Sequence, residues 1–529
     1  MEPSSQKPGG CCHGASSNPG GCCKSKLAEP KIEYGGCQNN SDDEYSQTEH
    51  KAVEIKSSQP SNKKKPKREI DDLEEIKAEG IEDLQEKFKH LKISKKLKAK
   101  LLKEEEERQK LRDYDPKIHC LKCKVVEASL VIRGDKMCEP CFSQSTIHRF
   151  KTSLRTNLKI WKDDMNLMCV SGGPNSMSML HLMYTSLFGK AQRKLFFKVH
   201  VAHIDESVIY NWSEEKRQEQ INLIVNTCQE YGFNYTIIPI ENVFNIECLN
   251  PNTKEHTCVE EEKREIINQV FESNHENREK LVELLRYPSG ICSNKEDFVF
   301  FLKKWVLLDF ALRFEFKKLL LGCTGLSVTA KVMSDIAKGR GLSMPNNVSF
   351  VDDRYLEEIK FMNPMKDFLY NEINEYIRMN NVVHSGKNEP SLIDLKKGKT
   401  LPGGGSMNIL CESFVTTLQD SNAQTMHTIL RTLNKLNTGG AAGQEKVFCV
   451  LCYGIADNPT NLLEVGSHIK SVALDGKCTL MENGEKDTWD TDFEQHLCFG
   501  CKRIMENAVD KNKLIELLPP FILNSAGLL

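Results

Sequence analysis

"NLMCVSGGPNSMSML", residues 166–180, decides the fold. The apolar run 166–170 reads as a buried strand. Its continuation at 177–188 carries the spacing of a helix. The turn between them is Ser171-Gly172-Gly173-Pro174-Asn175-Ser176. Two glycines let the backbone approach an anion, and the N–H groups at a helix start attract one. This is the shape of a phosphate cradle, although a plain strand-to-helix turn reads the same way in isolation. It is not a Walker A loop, because no Gly-Lys-Ser/Thr follows.

The same alternation continues downstream. "LFFKVHVAHID" (195–205), "NYTIIPI" (234–240) and "KLLLGC" (318–323) read as strands, with "VSFVDD" (348–353) as a fifth. Helical patterns fill 213–231, 259–286, 296–316, 326–338 and 364–378. Strands alternating with helices predict an α/β fold, a parallel sheet covered on both faces. In such a sheet ligands bind at the carboxyl ends of strands, where the turn 171–176 falls.

The flanks differ in kind. Residues 1 to about 69 lack apolar periodicity and predict disorder. Their Cys11, Cys12, Cys22, Cys23 and Cys37 read as loose thiols over metal ligands, and Lys63 to Arg68, which resembles a nuclear-import patch, as a solvated tail. Residues 70–112 predict a charged helix held by i,i+4 pairs. A loop at 396–406 leads into a helical pattern over 407–436. The expected organisation is therefore 1–115 tail and charged helix, 116–148 a first cysteine module, 149–395 the α/β domain, and 396–529 a helical segment with a second cysteine module.

The chain has 529 residues, 28% charged and 39% hydrophobic, with a net charge of -2. Whole-chain attraction to nucleic acid is excluded, so any nucleic-acid contact must come from local basic segments. One such segment carries Lys151, Arg155, Lys159 and Lys162 with Trp161 interleaved, suited to phosphate contact and base stacking; a solvated helix face fits it equally. The start Met1-Glu2-Pro3 lacks the pattern of a signal peptide. The most apolar region, 298–321, is interrupted by Lys303, Lys304, Asp309, Arg313, Glu315, Lys317 and Lys318, too many charges for a membrane span. A cytoplasmic protein with reduced cysteines is expected.

Of the 21 cysteines, eight fall in four CxxC pairs. Cys120 and Cys123 are followed by Cys138 and Cys141 across a strand-turn-strand pattern, the layout of a zinc ribbon. Four thiolates close the coordination sphere, which predicts a structural ion. Cys449 and Cys452 with Cys498 and Cys501 form a second set with a longer insertion. A redox role for these pairs would need a thioredoxin-like context, and the sequence shows none.

With these motifs in place, the chain resembles the PP-loop ATP pyrophosphatases, whose loop reads Ser-Gly-Gly-x-Asp-Ser. Ser171, Gly172, Gly173 and Ser176 match; Asn175 departs. From about residue 118 onward it resembles more specifically the cytoplasmic tRNA 2-thiolation protein 2 family. The resemblance is carried by "CLKCKVVEASLVIRGDKMCEPCF" (120–142), "SGGPNSMSML" (171–180), "HIDESV" (203–208), "FMNPMKDFLYNEINEY" (361–376), "ESFVTTLQDSNAQTMHTILRTLNKL" (412–436), "FCVLC" (448–452) and "CFGC" (498–501).

The resemblance implies a partner, a cytoplasmic tRNA 2-thiolation protein 1-like catalytic subunit. It also implies a reaction on the wobble uridine (U34) of tRNA. ATP activates the uridine oxygen, and sulfur arrives as a thiocarboxylate on a ubiquitin-like carrier. Zinc in the cysteine sets and ATP at the loop would be the cofactors. Relatives that catalyse carry an acidic pair after the fourth strand and a CxxC upstream. Here Gly322-Cys323-Thr324-Gly325-Leu326-Ser327 has no acid, and Cys292 and Cys323 stand singly. Asp205-Glu206 ends the second strand, fit either to hold magnesium or to cap the next turn. Asn175 keeps the loop's shape without its charge, so weak or absent ATP turnover is expected. The reading is a non-catalytic subunit. An ATP-dependent tRNA sulfurtransferase and a zinc-ribbon scaffold not acting on RNA are the alternatives.

Overall fold

Neighbouring residues on the central strands point into two different cores. Leu167, Ile238, Leu319 and Phe361 enter one, while Met168, Ile237, Leu320 and Met362 enter the other. A strand's side chains alternate between faces, so a sheet covered on both sides needs apolar residues at successive positions. That is why these strands read as unbroken apolar runs.

The structure is a computed structural model. It describes residues 95–112, 114–162, 164–189, 195–246, 249, 268–288, 292–355, 359–386, 406–436, 447–456 and 493–527. The expectations for the tail 1–69, for the helix before residue 95 and for the loop 396–405 lie outside the described residues.

A two-stranded hairpin, β1 (Leu130–Ile132) and β2 (Asp135–Met137), precedes the main sheet. Among the described residues that sheet has seven strands: β3 (Met165–Cys169), β4 (Lys198–Asp205), β5 (Asn234–Pro239), β6 (Gln269–Val270), β7 (Lys318–Leu321), β8 (Val351–Asp352) and β9 (Lys360–Met362). Their order is β6-β5-β4-β3-β7-β9-β8, parallel except for the β8–β9 pair. The chain builds outward from β3 to β6, then crosses back to place β7 on the other side of β3. The reversal makes the carboxyl ends of β3 and β7 a topological switch point.

The helices are α1 (Lys95–Arg112), α2 (Glu139–Thr152), α3 (Pro174–Phe188), α4 (Ser207–Tyr210), α5 (Glu214–Tyr231), α6 (His275–Leu284), α7 (Cys292–Arg313), α8 (Gly325–Ala337), α9 (Met344–Val348), α10 (Tyr370–Asn380), α11 (Met407–Ser421), α12 (Ala423–Leu433), α13 (Phe499–Glu506), α14 (Lys511–Glu516) and α15 (Pro520–Ser525). One face of the sheet packs on α3, α5 and α10, the other on α6 and α7. The core on the α6 and α7 face also takes in Cys449, Leu451, Cys498, Cys501, Phe521 and Ile522, so these late residues complete it. A smaller cluster joins α8 to α11 and α12 through Leu326, Val332, Val415 and Met426. Among the described residues no helix is long and apolar enough to cross a membrane.

Several elements differ from the sequence expectation. The pattern over 259–286 resolves, within its described part, into β6 and α6, and α6 starts only at His275. Asn274 sets that start by accepting the N–H groups of Glu276 and Asn277. The helix expected over 407–436 breaks at Asn422, whose extended backbone ends α11 and whose side chain caps α12. The strand over 348–353 shrinks to two residues, and β9 was not foreseen at all.

Candidate phosphate loop and candidate metal centres

The turn 171–176 joins β3 to α3 at the switch point. Gly172 has φ +87°, a conformation that favours glycine, and Gly173 precedes Pro174 at the first position of α3. The Ser171 and Ser176 hydroxyls lie 3.1 Å apart, and Ser176 Oγ donates to the Gly173 carbonyl. Ser385 donates from both its backbone N–H and its hydroxyl to the Gly172 carbonyl, each at 3.0 Å. A Cβ on Gly322, just past β7, would lie 2.8 Å from Ser176 Cα. The end of β7 therefore meets the first turn of α3 backbone to backbone.

The charges around this turn are already committed. Asp205 accepts from Arg217 Nε at 2.6 Å and from the Ser207 N–H at 3.0 Å. Burial acts to raise its pKa, but the Ser207 N–H and the Arg217 guanidinium outweigh it and hold the carboxyl low. Glu206 pairs with Lys303 at 3.0 Å. Thr324, in the stretch without acids, caps α8 by accepting from the Ser327 N–H. The thiols of Cys169 and Cys323 are both pushed up by burial. Cys292 begins α7.

Two four-cysteine groups form, with the ligand atoms of each within 4.8 Å of one another: Cys120, Cys123, Cys138 and Cys141, and Cys449, Cys452, Cys498 and Cys501. They are built alike. The first pair of each sits on a tight turn. The residue after it, Lys124 or Tyr453, has positive φ and donates its N–H to the first cysteine's carbonyl. The second pair opens a helix, with Cys138 and Cys498 at the N-caps of α2 and α13. A helix start favours thiolates at both places.

A divalent thiophilic ion fits both groups. Sulfur separations of 3.8 Å (Cys123 to Cys138) and 3.6 Å (Cys452 to Cys498) are far beyond a disulfide bond. They match the edge of a tetrahedron with metal–sulfur distances of about 2.3 Å, which is about 3.8 Å. Without a cation, the thiols compete for charge. In the first group burial raises Cys120, but N–H groups of Cys123, Cys138 and Lys122 bring it down to about 6. Cys141 is pushed up to about 12 by burial and by its three neighbours. In the second group Cys452 is lowered while Cys498 and Cys501 are raised. A bound cation would relieve that repulsion and hold all four as thiolates.

The basic segment lies elsewhere. Lys151 is in α2, Arg155 in the single π-turn that follows it, and Trp161 is 63% exposed. The segment enters β3 from its amino end, whereas the turn 171–176 leaves at its carboxyl end. Sequence reasoning missed the residues that seat the second cysteine group. Trp305 Nε1 donates to the Leu451 carbonyl at 3.0 Å, Ser343 Oγ accepts from the Ile455 N–H at 2.9 Å, and Arg340 packs on Gly500. No local motif marks them; only tertiary contact does.

Fold and site together define a mostly parallel-sheet protein with a glycine turn at its switch point and two four-cysteine groups. A family model described as cytoplasmic tRNA 2-thiolation protein 2 matches residues 406–503. The chain is 27% identical over 464 residues to the cytoplasmic tRNA 2-thiolation protein 2 of Danio rerio, covering 77% of this chain and 90% of that one. It is 25% identical over 476 residues to the Homo sapiens protein of that name, again with 77% and 90% covered. The family model and these relatives carry the same description, and the likeness to the relatives spans 77% of this chain. Among solved structures it is similar to the U34-tRNA thiolase NcsA of Methanococcus maripaludis with its 4Fe-4S cluster. There the TM-score is 0.43 and the identity 15%, covering 66% of this chain and 96% of that one.

Proposed function

We propose that this chain acts in the 2-thiolation of wobble uridine in cytoplasmic tRNA as a subunit without its own catalytic centre. Chemistry would belong to a cytoplasmic tRNA 2-thiolation protein 1-like partner, with sulfur supplied as a thiocarboxylate on a ubiquitin-like carrier. The pathway reading is supported by the family and by the names of the relatives. The non-catalytic reading rests on one observation: both acidic side chains at the end of β4 are engaged, Asp205 by Arg217 and the Ser207 N–H, Glu206 by Lys303. With an amide at Asn175 and Thr324 spent as a cap, the turn keeps its shape without a carboxylate to organise a metal around phosphate.

On this reading Ser171, Gly172, Gly173, Asn175 and Ser176 hold the switch point together. The two four-cysteine groups hold structural zinc, and the segment 151–162 contacts tRNA. The protein would work in the cytoplasm.

The test is reconstitution with the partner, tRNA, ATP and a sulfur source. Omitting this chain abolishes 2-thiouridine, whereas Ser171→Ala leaves its formation within about twofold. ATP hydrolysis by this chain alone at an enzyme-like rate, lost in Ser171→Ala, would overturn the non-catalytic reading. Unchanged thiolation in its absence would favour a scaffold not acting on RNA.

A further inference from the structure

The second four-cysteine group is set against an ion-paired cluster that the proposed function does not use. Asp297 and Asp335 pair with Lys331, Lys338 and Arg340. Three cations face two carboxylates, so the set carries one surplus positive charge. Arg340 is the member that reaches the cysteines. Its side chain lies against Gly500, between Cys498 and Cys501. A Cβ there would stand 2.6 Å from Arg340 Cγ and 2.8 Å from Nε. Arg340 is 7% exposed, and its Nε–H is buried without a hydrogen-bond partner. Asp297 fixes the far side of the guanidinium at 2.5 Å.

A buried donor without an acceptor is costly, and so is a buried anion without a counter-charge. Four thiolates on a divalent ion carry a net charge of -2. A surplus cation packed beside them answers the second cost. The first group has a different setting: Leu121, Val125 and Val126 around it are about half exposed, so water screens its charge.

We infer that Arg340 is a positioning residue of the second four-cysteine group, offsetting the charge of its four thiolates and slowing release of a divalent thiophilic ion. The inference rests on the reading of that group as a metal site.

The test measures zinc release from the full chain to a chromogenic chelator. The surface group gives a fast phase and the buried group a slow one. Arg340→Met speeds the slow phase tenfold or more, within the range seen when outer-shell partners of metal ligands are removed. It leaves the fast phase unchanged. Asn408→Ala is the control, because Asn408 bonds Ser334, Lys338 and Asp297 in the same cluster without touching Arg340. It lowers the melting temperature but changes the slow phase less than twofold. Arg340→Lys, which keeps the charge, stays within about threefold of the parent and decides the matter if Arg340→Met does not fold. An unchanged slow phase in Arg340→Met overturns the inference. So does acceleration by Asn408→Ala in proportion to its thermal destabilisation, or a tenfold acceleration by Arg340→Lys. A Cys120→Ser/Cys123→Ser chain that binds no zinc removes the metal reading itself, and the inference with it.

Discussion

Arg133, at the tip of the β1–β2 hairpin, grips both carboxylate oxygens of Glu372, 239 residues later at the start of α10, at 2.8 and 3.1 Å. Arg149 of α2 reaches the same carboxylate at 2.9 Å, and the Glu372 side chain is 1% exposed. One buried acid thus fastens the first cysteine module to the sheet. Glu372→Gln should cost about 3 kcal/mol, the lower end for breaking a buried pair, because both guanidinium groups keep some solvent. Urea unfolding at neutral pH measures it.

The same carboxyl fixes a pH dependence. Burial raises the Glu372 pKa, but Arg133 and Arg149 overcome it and hold the group low. Its contribution is complete above the ordinary carboxylate value of about 4.3. It disappears as pH falls through the depressed folded value. Glu372→Gln should therefore flatten the loss of stability below about pH 4.3, read from urea midpoints across an acid series.

His200 acts from the opposite class of residue. It is buried, bonded to Thr236 at 2.8 Å, and burial lowers its pKa to about 4. The unfolded chain takes up this proton first, near pH 6.5. Stability from the neutral ring is complete above that value and falls progressively as pH drops from about 6.5 to 4. His200→Gln should remove this part of the slope, seen in melting temperatures measured from pH 7 to 4.

Gly322→Ala should destabilise the protein by about 1–3 kcal/mol, because the added methyl meets backbone and neither partner can yield cheaply. The nearest atoms are Ser176 Cα at 2.8 Å and Ser176 N at 3.1 Å. Thermal denaturation gives the number.

Metal analysis should find two zinc ions per chain, falling to one in Cys120→Ser and to one in Cys452→Ser. The second loss should lower the melting temperature more. Cys449, Cys498 and Cys501 belong to the large core with Trp305 and Phe521, whereas the first group sits outside it.

The long strands and the cysteine pairs were legible because each signal is local. A run such as 166–170 is apolar throughout because both faces of β3 are covered, and a CxxC declares itself in four residues. β6 and β9 were not legible. At two and three residues they have no period to detect, and neighbouring strands impose their conformation. Asp205 and Glu206 were visible as residue types, but Arg217 and Lys303 as their partners were not. Pairing across 12 and 97 positions is a product of the fold. Arg340 carried no sequence signal, since a single arginine in "KGRGLS" reads as an exposed turn.

The core on one face of the sheet begins at Leu167 and is closed by Phe521, Leu523 and Ala526. During synthesis β7 leaves the ribosome some two hundred residues before those last side chains exist. At about 5–20 residues per second, that core stays incomplete for roughly 10–40 s. Folding of this half is therefore completed only after those residues are made, and a chain stopped before residue 493 would present an unfilled core beside α7 to chaperones and proteases.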